Sequence, residues 1–144
     1  MPERILLLVE DNPDDEALTL RALRRNRVAN QIVVVRDGIE ALDWLFARGP
    51  HAGRDPSIRP QVVLLDLNLP KLGGLDVLRA IRADPRTRQL AVVVLTSSKQ
   101  EQDLVESYQL GANGYVCKPV EINAFYDAIH RVGLYWLLTN ELPS

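Results

Sequence analysis

The chain has 144 residues, with 17 Lys and Arg against 19 Asp and Glu and a formal charge of −2. That length is enough for one domain with its own apolar core, without disulfides or a structural metal. The charge balance provides no positive field for a nucleic-acid backbone or an anionic membrane, so neither is an expected partner.

The opening residues are apolar for only about half a dozen positions, too few for a signal-peptide core or a membrane span of roughly 20 residues, and a cytoplasmic protein is expected. In chain order, Ile5-Leu6-Leu7-Leu8-Val9 reads as a first strand ending in Glu10-Asp11. Asn12 then caps a helix over 13–26, with Pro13 where no donor is lost and Asp14 and Asp15 at the positive end of the helix dipole. Ile32-Val33-Val34-Val35 gives a second strand, and a second helix over 38–47 carries its apolar face on Ile39, Leu42 and Leu45, with Trp44 and Phe46 packing it.

Residues 48–60 contain Gly49, Pro50, Gly53, Pro56 and Pro60 and form a loop insertion. Because it joins a helix to a strand, it belongs at the amino-terminal edge of a parallel sheet and is no lid over a ligand crevice. The third strand, Val62-Val63-Leu64-Leu65, runs into Asp66 and the loop Pro70-Lys71-Leu72-Gly73-Gly74 before a helix over 74–83. Ala91-Val92-Val93-Val94-Leu95 is the fourth strand, closed by Thr96-Ser97-Ser98, and Gly111 stops a helix over 100–110. The fifth strand, Tyr115-Val116-Cys117, precedes Lys118-Pro119 and a last helix over 121–138. Cys117, the single cysteine, is expected to be a buried strand residue, and His51 and His130 lack the spacing of a metal pair.

The strand runs are apolar without alternation, as in strands covered on both faces. Alternating β and α segments then give an α/β fold: a doubly wound five-stranded parallel sheet of flavodoxin-like order 2-1-3-4-5, with helices on both faces. One domain over 1–144 is expected, with a helix extension over 131–144 whose Tyr135, Trp136 and Leu137 are too apolar for a terminal helix in water and make a candidate interface.

Every strand of such a sheet opens its carboxyl end onto one crevice. Glu10 and Asp11, Asp66, Thr96 and Lys118 all fall there. Carboxylates brought together repel, and a hard divalent cation holds them ionised; Mg²⁺ is expected, bound by carboxylate, backbone carbonyl, water and substrate oxygens. Asp66, at the end of a central strand, is the candidate nucleophile toward phosphorus, while Thr96 and Lys118 neutralise phosphoryl oxygens and Glu10 and Asp11 serve the metal. A Mg²⁺-dependent phosphatase on this plan would want a general acid two residues after its nucleophile, and Asn68 stands there. A flavin carrier would want a Gly/Ser/Thr-rich phosphate loop after the first strand, where Glu10-Asp11-Asn12-Pro13-Asp14-Asp15 would repel it. The intact acidic cluster with Lys118 likewise argues against a degenerate module of this fold that only binds partners.

Nearly the whole chain resembles the receiver domains of response regulators. The resemblance is carried by Val9-Glu10-Asp11-Asn12, by Leu65-Asp66-Leu67-Asn68-Leu69-Pro70 with Gly73-Gly74, by Thr96-Ser97 and by Lys118-Pro119. It implies that Asp66 is the phosphoacceptor for a sensor histidine kinase, and that Asp11, Asp66 and the Asn68 backbone carbonyl hold Mg²⁺ with Glu10 acting through water. It also implies that Thr96 and Lys118 hold the phosphoryl oxygens, and that Tyr115 is the aromatic that turns inward when Thr96 moves. The 48–60 insertion and the aromatic tail are similar to those of single-domain regulators that partner bacterial phytochromes, which implies a homodimer built on the last helix. Such a chain gains and loses its own phosphoryl group, turns over no separate substrate and signals through protein contacts.

Overall fold

Alternate residues of the inner strands serve opposite faces of the sheet, which is why their sequences show no polar alternation. Ile5, Leu7, Val9, Val63, Leu65, Val92 and Val94 belong to one buried cluster, and Leu6, Leu8, Val62, Leu64, Val93 and Leu95 to the other. The computed structural model describes residues 4–29, 31–97, 100 and 111–131. Its strands are β1 (Ile5–Val9), β2 (Gln31–Val35), β3 (Val62–Asp66), β4 (Ala91–Thr96) and β5 (Gly114–Cys117). They form one parallel sheet in the order β2-β1-β3-β4-β5, as expected. The described helices are α1 (Pro13–Arg25), α2 (Gly38–Phe46), α3 (Gly74–Ala83) and α4 (Ile122–Arg131). The helix expected over 100–110 and the tail bearing Tyr135, Trp136 and Leu137 lie outside the described residues. Among the described residues no helix is long and apolar enough to cross a membrane.

The two faces are covered by different helices. α2 and α3 contribute Leu42, Trp44, Leu45, Val77, Leu78 and Ile81 to one cluster, and α1 and α4 contribute Leu23, Phe125, Ala128 and Ile129 to the other. Each fully buried side chain of this size contributes about 1.5–3 kcal/mol relative to exposure, so the sheet is the rigid base on which the loops at its carboxyl edge rest.

The 48–60 segment is a loop, and it lies where its connection requires: Gln61 N–H donates to the Ile5 carbonyl at the start of β1 (2.8 Å). It is organised around Arg54, whose guanidinium lies 3.7 Å from the Trp44 ring centroid and donates to the carbonyls of Trp44 (2.8 Å), Asp55 (3.0 Å) and Ile58 (2.9 Å). One cation thus ties the end of α2 to two carbonyls of the loop.

Cys117 corrects an expectation, for it is exposed rather than buried. β5 is an edge strand of which only Val116 is buried, packed into the α1–α4 side, while Tyr115 and Cys117 lie on the opposite face and remain accessible. A short apolar run reads as a strand covered on both faces, whereas at this edge only one face is covered.

Two glycines place backbone against backbone beside the carboxyl edge. A Cβ on Gly74 would stand 2.3 Å from the Asp66 carbonyl oxygen and 2.7 Å from Leu67 Cα, and one on Gly38 would stand 2.0 Å from the Leu72 carbonyl oxygen. Gly74→Ala must therefore move either α3 or the end of β3, and is expected to cost about 3 kcal/mol, as overpacking against backbone does. A urea midpoint equal to that of the wild type would show that this approach is not tight.

Candidate active site

Register decides which strand ends are level. Val9 pairs with Leu65, so Glu10 and Asp66, each the next residue, lie side by side. Asp66 in turn pairs with Leu95 and Thr96 with Cys117, which steps Thr96 and Lys118 further along the same edge. At the mouth, Asn12 caps α1 by accepting from the N–H groups of Asp14 (2.9 Å) and Asp15 (3.1 Å), and this fixes the first turn of the helix over the strand ends.

Glu10 is fully buried, Asp66 nearly so, and Asp11 exposed, yet one carboxylate oxygen from each lies within 4.8 Å of the others. Into this group reaches Lys118, whose ammonium donates to Asp15 Oδ2 at 3.0 Å, Asp66 Oδ2 at 3.2 Å and Glu10 Oε1 at 3.3 Å. The remaining carboxylate oxygens meet backbone: Asn68 N–H donates to Asp66 Oδ1 (3.2 Å) and Asn12 N–H to Glu10 Oε2 (3.3 Å). Asp11, Asp15, Asp66, Asn68, Ser97 and Lys118 line an open cleft of about 490 Å³.

The electrostatics follow from one ammonium facing several carboxylates. Burial, and after it the hydrogen bond to and charge of Asp66, push the Glu10 carboxyl up to about 7. Burial alone would lower Lys118, but the Asp15 hydrogen bond and the charges of Asp66 and Glu10 outweigh it and hold the ammonium above its ordinary range. A buried carboxyl raised that far, beside two others and only partly compensated by Lys118, is the donor set that a hard divalent cation completes, and Mg²⁺ fits it.

The expected residues do not all meet. Glu10, Asp11, Asp66 and Lys118 converge, and Asn68 lines the cleft. Thr96 ends β4 as foreseen but is fully buried, with its hydroxyl donating to Cys117 Sγ at 3.9 Å rather than lining the cleft. Tyr115 is 37% exposed, on the outer face of β5. Asp15 is the residue that sequence reasoning assigned only to the helix dipole. The signal was its place in the first turn of a helix that starts at the crevice, three residues after the Asn12 cap.

Comparison with known proteins agrees with this geometry. The family model for the response regulator receiver domain matches residues 6–130. Response regulator Rcp1 of Synechocystis sp. (strain ATCC 27184 / PCC 6803 / Kazusa) is 35% identical over 143 residues, covering 99% of this chain and 95% of Rcp1; a solved Mn²⁺-bound form of Rcp1 superimposes with a TM-score of 0.73 at 34% identity, covering 98% and 99% of the two chains. The bacteriophytochrome response regulator AtBRR is 54% identical with a TM-score of 0.88, over 96% of this chain and 98% of that one. The cyanobacterial phytochrome response regulator RcpA, solved in its phosphorylated form, is 39% identical with a TM-score of 0.74, over 98% and 99%. With the family model matching residues 6–130 and these relatives covering nearly the whole chain, the chain belongs to the response regulator receiver domains, the regulators of two-component signal transduction.

Proposed function

We propose that this receiver accepts a phosphoryl group on Asp66 from the phosphohistidine of a sensor histidine kinase, and that the kinase is a bacterial phytochrome. The observation that carries the reading is the Lys118 ammonium, 3.2 Å from the Asp66 carboxylate in a cluster whose three carboxylates lie within 4.8 Å of one another. An Asp66 oxygen attacks phosphorus, the phosphorus–nitrogen bond of the donor breaks, and the imidazole leaves with a proton. Asp11 and Asp66 through side-chain oxygens, Asn68 through its backbone carbonyl and Glu10 through water are the residues suited to hold Mg²⁺. When bound, that ion supplies charge neutralisation for the phosphoryl oxygens.

The chain's own residues do the rest. Lys118 exchanges a carboxylate contact for a phosphoryl oxygen. Thr96 gives up its contact with Cys117 to donate its hydroxyl to another phosphoryl oxygen, and Tyr115 turns inward into the space so vacated. The changed surface around β5 and α4 is the signal, read by a protein rather than by nucleic acid, which the net charge of −2 disfavours. With Asn68 in place of a general acid, the phosphoryl group is held rather than passed to many substrates. The phytochrome link is supported by likeness to AtBRR and RcpA. Intact-mass measurement with acetyl phosphate, with and without Mg²⁺, followed by borohydride trapping of the labelled aspartate, tests the reading. One Mg²⁺-dependent, acid-labile phosphoryl group at Asp66 is expected, and labelling elsewhere or none at all defeats it.

The same reading includes a homodimer built on the last helix and tail, supported by the apolar content of Tyr135, Trp136 and Leu137. Trp136→Ala should lower the sedimentation mass toward that of a monomer, and an unchanged mass removes the tail from the interface.

A further inference from the structure

Lys118 is shared among more anions than a phosphoryl site requires. Glu10 and Asp66 belong to the carboxylate cluster whose oxygens lie within 4.8 Å of one another, whereas Asp15 stands outside it. Yet Asp15 makes the shortest of the three bonds to the ammonium, 3.0 Å against 3.2 Å and 3.3 Å. Its backbone is fixed in the first turn of α1 by the Asn12 cap, and its side chain, 32% exposed, lines the cleft through which a phosphoryl donor must enter. It brings a fourth carboxyl group to a site with, among the described residues, a single ammonium.

We propose that Asp15 is a positioning residue that competes with the incoming phosphoryl group for Lys118, and so slows phosphorylation of Asp66. The inference rests on Asp66 being the phosphoacceptor. In the unphosphorylated protein the Asp15 carboxylate presents to Lys118 the same kind of oxygen that the phosphoryl group must later present. The ammonium is therefore held toward α1 until a donor displaces that contact. The carboxylate also adds repulsion at the cleft mouth against any anionic donor, a term that acts on the approach and that a bond within the helix would not produce.

The test is the rate at which the full chain, with saturating Mg²⁺, gains a phosphoryl group from acetyl phosphate, followed by intact mass: an Asp66 oxygen bonds to phosphorus and acetate leaves. Asp15→Asn should react roughly fivefold faster than wild type, the effect of removing one partly screened charge a few ångströms away. Asp15→Glu should return the rate to near the wild-type value, and the advantage of Asp15→Asn should shrink as salt is raised toward about 1 M. A merely structural Asp15 would show neither the acceleration nor the salt dependence. An Asp15→Asn rate equal to or slower than that of an active wild type overturns the proposal. A wild type that gains no phosphoryl group at all overturns the reading of Asp66, and this inference with it.

Discussion

Asp66→Asn folds and gains no phosphoryl group from acetyl phosphate in the presence of Mg²⁺, a loss of at least about a hundredfold in rate, because a neutral amide offers no anionic oxygen to phosphorus. The fold survives because the substitution keeps shape: the amide oxygen can still accept the Asn68 N–H that Asp66 Oδ1 accepts at 3.2 Å. What changes is charge. The bond from Lys118 to Asp66 Oδ2 is lost, and Glu10 no longer faces a carboxylate. Since Asp66 is the second cause, after burial, of the rise of Glu10 to about 7, its removal lets Glu10 fall part of the way toward 4.5. A carboxyl raised on folding stabilises the native state below its unfolded value, and that contribution is lost as pH rises through the folded one. Metal-free wild type should therefore lose stability as pH rises from about 4.5 through about 7, and Asp66→Asn should lose less. Urea midpoints at about pH 5 and pH 8 without Mg²⁺ measure both slopes. Labelling of the variant at the wild-type rate would place the nucleophile elsewhere, and equal slopes would mean that Asp66 does not raise the Glu10 carboxyl.

The sheet was legible because its cause is repeated: each strand is an unbroken apolar run, and each run ends in a residue that has no place in a core. Glu10, Asp66, Thr96 and Lys118 are conspicuous for that reason, and parallel topology alone brings their ends to one edge. The errors come from what a strand run does not encode. Cys117 reads like an inner-strand residue because edge and centre differ in neighbours, not in the run itself, and only the sheet order reveals that Val116 alone faces the core there. Asp15 was hidden by a second sound explanation, its place in the first turn of a helix, and only the reach of Lys118 to 3.0 Å reveals its other partner. The orientation of the Thr96 hydroxyl toward Cys117 belongs to side-chain geometry that no spacing of residues specifies.

Lys118→Met removes the positive charge while keeping the apolar stem, and is expected to be the most damaging single change in the cleft. Glu10 and Asp66, both buried, and Asp15 would lose their shared donor together. Leaving buried carboxylates without their cation costs about 3 kcal/mol at pH 8 without Mg²⁺, the scale for breaking a buried pair from one side. Two remedies distinguish this from loss of packing. Lys118 is among the influences that lower Glu10, so in the variant Glu10 holds its proton to higher pH, and the deficit should shrink as pH falls through about 7 and the carboxyl becomes neutral. Mg²⁺ should also restore stability, by replacing the missing charge. Phosphorylation should not be restored with it: the donor aimed at the phosphoryl oxygens is gone, and loss of one such donor costs about a hundredfold or more. Unfolding midpoints across pH and Mg²⁺ concentration, set beside labelling rates, separate the two roles. A variant as stable as wild type at pH 8 without Mg²⁺ would mean that the carboxylates do not depend on Lys118, whereas stability regained with Mg²⁺ while labelling stays slow is the expected pattern for a lysine that serves both the resting cluster and the incoming phosphoryl group.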